Sequence, residues 1–546
     1  MLTGLLLSIL LNLPFVFSGE CHADEHRATP SKVMPAFSRK FDENNRLLLD
    51  RESDFEPIRI YVHYGELKVP LAAQKFIKTY VVDGAIKWFR KVLLINPVIG
   101  RLTFPGFSGR DCGGFKIPRE HATVGVNADV VIYLTAGDND TGLAGWAITC
   151  LVEKGLGYPL ASQLHLETVG LKNETFEDAL STVIHEMSHI LAFSANLMDL
   201  WIKPDGSKYK NDEILLWGVE RNKTVAKLKT PKVLAKAKEH FNCSELEGIG
   251  LEVSRVNGTL GSHWEKRIMN DDYMVPDFDI HDIGYSDISL AVFEDSGWYK
   301  VNYWILNKPI WGFHKGCEFL KEKCIVDNKP LPNEFCLNST FSQCDYRHLR
   351  KGNCNLNQFH DMLPEPFQYF SNPCLGGKDE YIDYCPVVKP FYKGNCRETN
   401  PSMQDINQLY GEAMCESCRC IEGTYSKSMG SLEHHAICHN ITCTADAAII
   451  HIRNVSVTCP FTGGTVKAPG FHGFLVCPES DILCIEMPCL DNCSGRGKCI
   501  RGVCNCDNGV KGGACPGKRQ NDTFSLNVTN KAIIAIIGIL LLMIFL

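Results

Sequence analysis

The placement of cysteine constrains this chain more than any other feature. Its 546 residues include 26 cysteines, crowded between Cys317 and Cys515. Thiols at that density serve structure only where disulfides persist, so the chain reads as secreted and its fold as dependent on oxidation. The N-terminus agrees. Residues 5–18, LLLSILLNLPFVFS, form an apolar run too short to span a bilayer, with small residues ahead of Gly19, and 1–18 therefore reads as a signal peptide. Eleven N-x-[ST] sequons fit passage through a glycosylating compartment.

At the other end, Ala532–Leu546 is an apolar run ending flush with the C-terminus after the polar stretch NDTFSLNVTNK. Residues 517–546 thus read as a linker and a GPI-attachment signal, with Asn521 as the attachment residue. Asn521 also opens a sequon, and the two fates exclude each other. The competing reading, a membrane-spanning helix, needs about 20 apolar residues and a basic stop after them. Lipid anchoring on the extracellular face of the plasma membrane is the expectation. A net charge of −7 offers no basic face to a phosphate backbone, which argues against nucleic acid as a partner.

Residues 19–54 are charged and lack apolar periodicity, as a removable pro-segment does. Within them Cys21 has two readings: its thiolate caps a catalytic zinc and holds the enzyme latent, or it pairs with another cysteine. Removing Cys21 leaves 25 cysteines, so one mature cysteine is free, intermolecular or the partner of Cys21. From Phe55 strand-like runs appear, PIRIYVHYG and ADVVIYLTAG. Thr175–Ser194 then carries Phe176, Leu180, Val183, Ile184, Met187 and Leu191 at helical spacing, and Thr175 with Asp178 resembles a capping box. Strands with helices imply an α+β fold. The lysines of Lys223–Lys238 read as a solvated helix face, and the acidic Asp271–Asp287 stretch, without EF-hand spacing, as a solvated loop. Residues 305–484 read as a loop-rich region stapled by disulfides.

The chemistry lies in His185-Glu186-Met187-Ser188-His189. On a helix the i and i+4 imidazoles share a face and reach one ion, while a catalytic zinc keeps a position for water. Glu186 beside that water is the expected general base for hydrolysis of a peptide bond. A compact metzincin continues HExxHxxGxxH, but Ala192 and Ala195 stand where its glycine and third histidine belong. The motif therefore leaves the third ligand open.

Thr230–Met274, with HFNC, GSHWEKR and DDYMVP in order after HEMSH, resembles the leishmanolysin family of surface metalloproteases. The resemblance implies a metzincin-type zinc protease region over 55–304 with a long insertion at 193–262. It implies His263 as third ligand and Met274 as the Met-turn methionine beneath the metal. It also implies one zinc per chain, endopeptidase activity on protein or peptide substrates, and a latent pro-form. At Ala192, where the family has glycine, either the helix runs on or its exit is strained. Residues 485–516 resemble an EGF-like module, which implies the pairs Cys489–Cys499, Cys493–Cys504 and Cys506–Cys515. His434, His435 and His439 beside Cys438 read as core or surface histidines. A rival function is a catalytically inactive GPI-anchored adhesion protein on the same fold; the retained Glu186 argues against it, since binding needs no general base.

Overall fold

The structure, a computed structural model, describes residues 20–21, 32–34, 54–137, 143–167, 176–253, 260–277, 283–303, 309–331, 334–401, 404, 406–429, 432–444, 446–478, 482–484, 497–500, 503–506 and 511–512. The expected signal peptide, the GPI signal with Asn521, and Thr175 of the expected capping box lie outside them. The chain divides into two compact units, residues 1–340 with 353–389 and residues 341–352 with 390–546. The cysteine-rich stretch contributes to both.

The first unit is an α+β layer. Its core sheet runs in the order Glu20–Cys21, Leu143–Glu153, Pro159–Glu167, Val130–Gly137, Ile60–Leu67, and Lys32–Met34 also pairs with Leu143–Glu153. Pro159–Glu167 is antiparallel to Leu143–Glu153 and parallel to Val130–Gly137. All nine of its residues are buried, as expected of a central strand covered on both faces. The helix Phe176–Leu191 supplies one cover through Val183, Ile184, Met187 and Leu191, all buried.

A second, four-stranded antiparallel sheet, in the order Leu215–Glu220, Lys223–Leu228, Ile249–Val253, Leu260–Trp264, fills most of the expected insertion. Lys223–Lys238 is thus not one solvated helix face. Its first part is a strand, and Lys223 is half-buried with Nζ 2.7 Å from both Glu265 and Asp383. Helix Pro231–Phe241 starts with proline, lacks a side-chain cap from Thr230, and ends on left-handed Asn242. Asp295, the last residue of helix Asp287–Asp295, supplies the missing cap: its Oδ2 accepts from the Lys232 and Val233 amides at 2.9 Å each.

The acidic stretch also departs from expectation. Asp271 and Asp272 are buried, Asp271 Oδ2 accepting from Ile310 and Trp311 amides and Asp272 Oδ1 from the Met274 amide. Four disulfides staple this unit: Cys112–Cys150, Cys243–Cys317, Cys324–Cys385 and Cys336–Cys354, while Cys374 carries a free thiol.

The second unit holds a six-stranded antiparallel sheet in the order Val455–Pro460, Ala447–Ile452, His435–Cys443, Cys418–Gly423, Leu475–Cys477, Gly464–Val466. Its core includes the half-cystines Cys344, Cys396, Cys418, Cys420 and Cys438, so oxidation builds the interior here as well as stapling it. His434 pairs with Glu422 and buried His439 meets the Tyr425 hydroxyl, so these histidines serve separate local contacts. A small antiparallel sheet of Gly497–Ile500, Val503–Cys506 and Lys511–Gly512 sets Cys499 opposite Cys504 in register. Cys489, Cys493 and Cys515, and with them the three expected bridges, lie outside the described residues.

The Asp295 cap gives a test of this architecture. Asp295→Ala leaves the buried Val233 amide and the Lys232 amide without this acceptor and should destabilise the chain by about 1–3 kcal/mol, read as a lower urea midpoint at unchanged slope.

Candidate metal centre

Residues His185 and His189 leave the same face of the helix Phe176–Leu191, and their Nε2 atoms lie 2.9 Å apart. His263 arrives on the strand Leu260–Trp264, its Nε2 3.3 Å from that of His185. One nitrogen from each ring falls within 4.8 Å of the other two, and all three residues are buried.

What turns the three nitrogens inward is the partner of each outer nitrogen. His185 Nδ1 donates to the Tyr273 carbonyl at 2.6 Å, His189 Nδ1 to the Phe193 carbonyl at 2.7 Å, and His263 Nδ1 to Glu252 Oε2 at 2.9 Å. Each bond fixes the tautomer that leaves an Nε2 lone pair facing the centre. Burial pulls the His185 imidazole down to about 3, with His263 adding to the shift, and holds His189 well below its ordinary value. The His185 and His189 rings are therefore neutral near pH 7, the form that binds a metal.

Each partner comes from a different piece of local structure. The helix exit answers the question raised by Ala192. The Ala192 and Phe193 amides both bond to the Ser188 carbonyl, and Ala192 has no positive φ, so the chain leaves without left-handed strain and carries the Phe193 carbonyl under His189. At Ala195, where a compact metzincin has its third histidine, the amide instead donates to Ser262 Oγ at 3.0 Å, beside His263. Glu252 stands on the strand next to that of His263. Tyr273 precedes buried Met274 in a tight turn, where Asp272 Oδ1 accepts from the Met274 amide and from Ser289 Oγ. The same turn binds the end of the ligand strand, since the Trp264 amide donates to the Met274 carbonyl at 2.9 Å.

Glu186 is buried next to His185, and a Cβ built on Gly145 would lie 3.4 Å from its Cγ. Gly145 is the residue that Cys21 faces in the parallel ladder between Glu20–Cys21 and Leu143–Glu153. Sequence reasoning missed Glu252, Gly145 and the Phe193 and Tyr273 carbonyls. The first pair needs three-dimensional register to find, and a carbonyl leaves no signature in residue identity.

An α+β layer with two histidines on a central helix and a third on a later strand above a buried methionine turn defines a metzincin-type fold. The leishmanolysin peptidase family model matches residues 70–493, and the chain belongs to that family. A leishmanolysin homolog of Crithidia fasciculata is 31% identical over 68% of this chain and 56% of its own length. Leishmanolysin of Leishmania donovani is 28% identical over 67% of this chain and 61% of its own. A leishmanolysin-like peptidase of Drosophila melanogaster is 27% identical over 79% of this chain and 80% of its own. The chain thus spans less than two thirds of the first two relatives.

The Glu252 contact yields a direct test. Glu252→Ala frees the His263 ring to turn, and metal affinity measured by competition with a chromogenic chelator should fall about 10- to 100-fold. Glu252→Gln, which keeps an acceptor oxygen, should recover part of the loss. Unchanged affinity in the alanine variant would remove Glu252 from the centre.

Proposed function

We propose that this chain is a zinc endopeptidase, made as a secreted precursor and held by a lipid anchor at the outer face of the plasma membrane, where it cuts peptide bonds in proteins. The reading rests on one observation, the convergence of three buried imidazole nitrogens, two of them on the helix that carries buried Glu186. The donor set fits zinc: imidazole suits a borderline ion, and one nitrogen from each ring falls within 4.8 Å of the other two. The separation between His185 and His263 is 3.3 Å. The family membership and the name of the Drosophila relative, a peptidase, support the same reading.

His185, His189 and His263 hold the ion. When bound, zinc supplies Lewis acidity that lowers the pKa of a coordinated water toward about 7. Glu186 takes the proton of the attacking water on a carboxylate oxygen and delivers it to the leaving amine. Gly145, lacking a side chain, lets the strand Leu143–Glu153 pass close to Glu186. Met274 closes the floor with a soft, polarisable side chain.

Latency follows from Cys21. Its backbone pairs with Gly145, next to Glu186, so the segment around it occupies the strand edge at the centre. Thiolate is in general a good zinc ligand, so Cys21 is the residue of this segment suited to hold the enzyme latent.

Two experiments separate these roles. Glu186→Ala in the processed protein should keep its zinc and lose hydrolysis of a denatured protein by a factor of about 100 or more. Activity equal to wild type would refute the base assignment. In the unprocessed chain Cys21→Ser should raise basal hydrolysis, and equal latency in both forms would remove Cys21 from the mechanism.

A further inference from the structure

A second group of metal-binding side chains lies at the far edge of the core sheet. His63 stands on the edge strand Ile60–Leu67 opposite Tyr133, and the register continues from Tyr133 to Gln163 and on to Ile148. Residues in register share a face. Thr149, the neighbour of Ile148, points the other way, its hydroxyl bonding the Ile190 carbonyl of the histidine-bearing helix. His63 is therefore on the face turned away from that helix, and its group is separate from the centre described above.

The segment covering this face, tied down by Cys112–Cys150, brings Glu120 and His121 onto His63 in the short helix Arg119–Thr123. The His63 and His121 rings meet edge to face with centroids 5.0 Å apart. Glu120 Oε1 lies 3.9 Å from His121 Nε2, and one ligand atom from each of the three residues falls within 4.8 Å of the others. His121 is 1% exposed, and its Nδ1 is held 3.0 Å from the Tyr133 hydroxyl. That contact occupies the outer nitrogen and leaves Nε2 to the cluster, the same device that orients the three histidines of the first centre. His63 makes no hydrogen bond among the described residues, its surroundings being the rings of Phe115, His121 and Tyr133.

We propose that His63, Glu120 and His121 form a second zinc site, which clips the covering segment to the edge strand of the core sheet. Two imidazoles and a carboxylate select zinc over calcium or magnesium, which take oxygen ligands. The Glu120 side chain is 71% exposed, which gives the ion a path in from solvent and leaves its last position to water. An ion here adds, at the edge strand, to the hold that Cys112–Cys150 and the Tyr133 hydroxyl already have on the covering segment, and its role is structural.

Zinc content per chain decides the matter, measured on the full protein after dialysis against buffered micromolar zinc. Wild type should hold two ions and His63→Ala one, with hydrolytic activity unchanged. Glu120→Gln, a change at an exposed position that leaves folding intact, should weaken the second ion at least tenfold in a zinc titration. His185→Ala in parallel distinguishes the two centres, since it removes the first ion and spares the second. The proposal is overturned if His63→Ala and Glu120→Gln both retain the wild-type zinc content and affinity, whatever the fate of His185→Ala.

Discussion

Everything in the first unit turns on keeping three buried imidazoles aimed at one point. An imidazole buried without a partner costs free energy, and one free to rotate binds metal poorly. The chain meets both demands with a single bond per ring, to the Tyr273 carbonyl, the Phe193 carbonyl and the Glu252 carboxylate. Those acceptors come from a turn, a helix exit and a neighbouring strand, so the centre exists only when all three elements are in register. Removing any one misaims a ligand while leaving the ligand itself intact.

The insertion between His189 and His263 is best understood as the apparatus that delivers the third ring. A long excursion needs anchors at both ends to return a side chain within a few tenths of an ångström. At its start Ala195 is tied to Ser262, and at its end Trp264 is tied to Met274. Beyond the ligand, Glu265 pairs with Lys223, which also holds Asp383, and Lys266 pairs with Asp277 and Asp379. Buried ion pairs contribute little net stability, but breaking one strands a charge. Their effect is to penalise every other placement of the segment just after His263.

The sequence disclosed those parts that depend on local pattern. Helical spacing from Phe176 to Leu191 and the pair at i and i+4 are written in adjacent residues, and the helix is found there. Neither composition nor spacing reaches His263, because its place depends on pairing across a sheet; family resemblance supplied it. Charge-based readings failed where partners were distant in sequence. Asp271 and Asp272 read as solvent-facing acids yet are buried as acceptors of backbone and hydroxyl donors, and Lys223 reads as surface yet is held between two carboxylates. Disulfide partners such as Cys243 and Cys317 are illegible for the same reason.

The strand Leu143–Glu153 joins the centre to access. One of its edges is satisfied by Pro159–Glu167, and the other is paired with Glu20–Cys21 and Lys32–Met34. A strand edge presents backbone donors and acceptors that one extended chain at a time can use. Gly145 sits on this edge against Glu186, so an extended peptide reaching the carboxylate must take the ladder positions that residues 20–21 hold. Residues 20–21 use the backbone donors and acceptors of this edge that a second extended chain would need there.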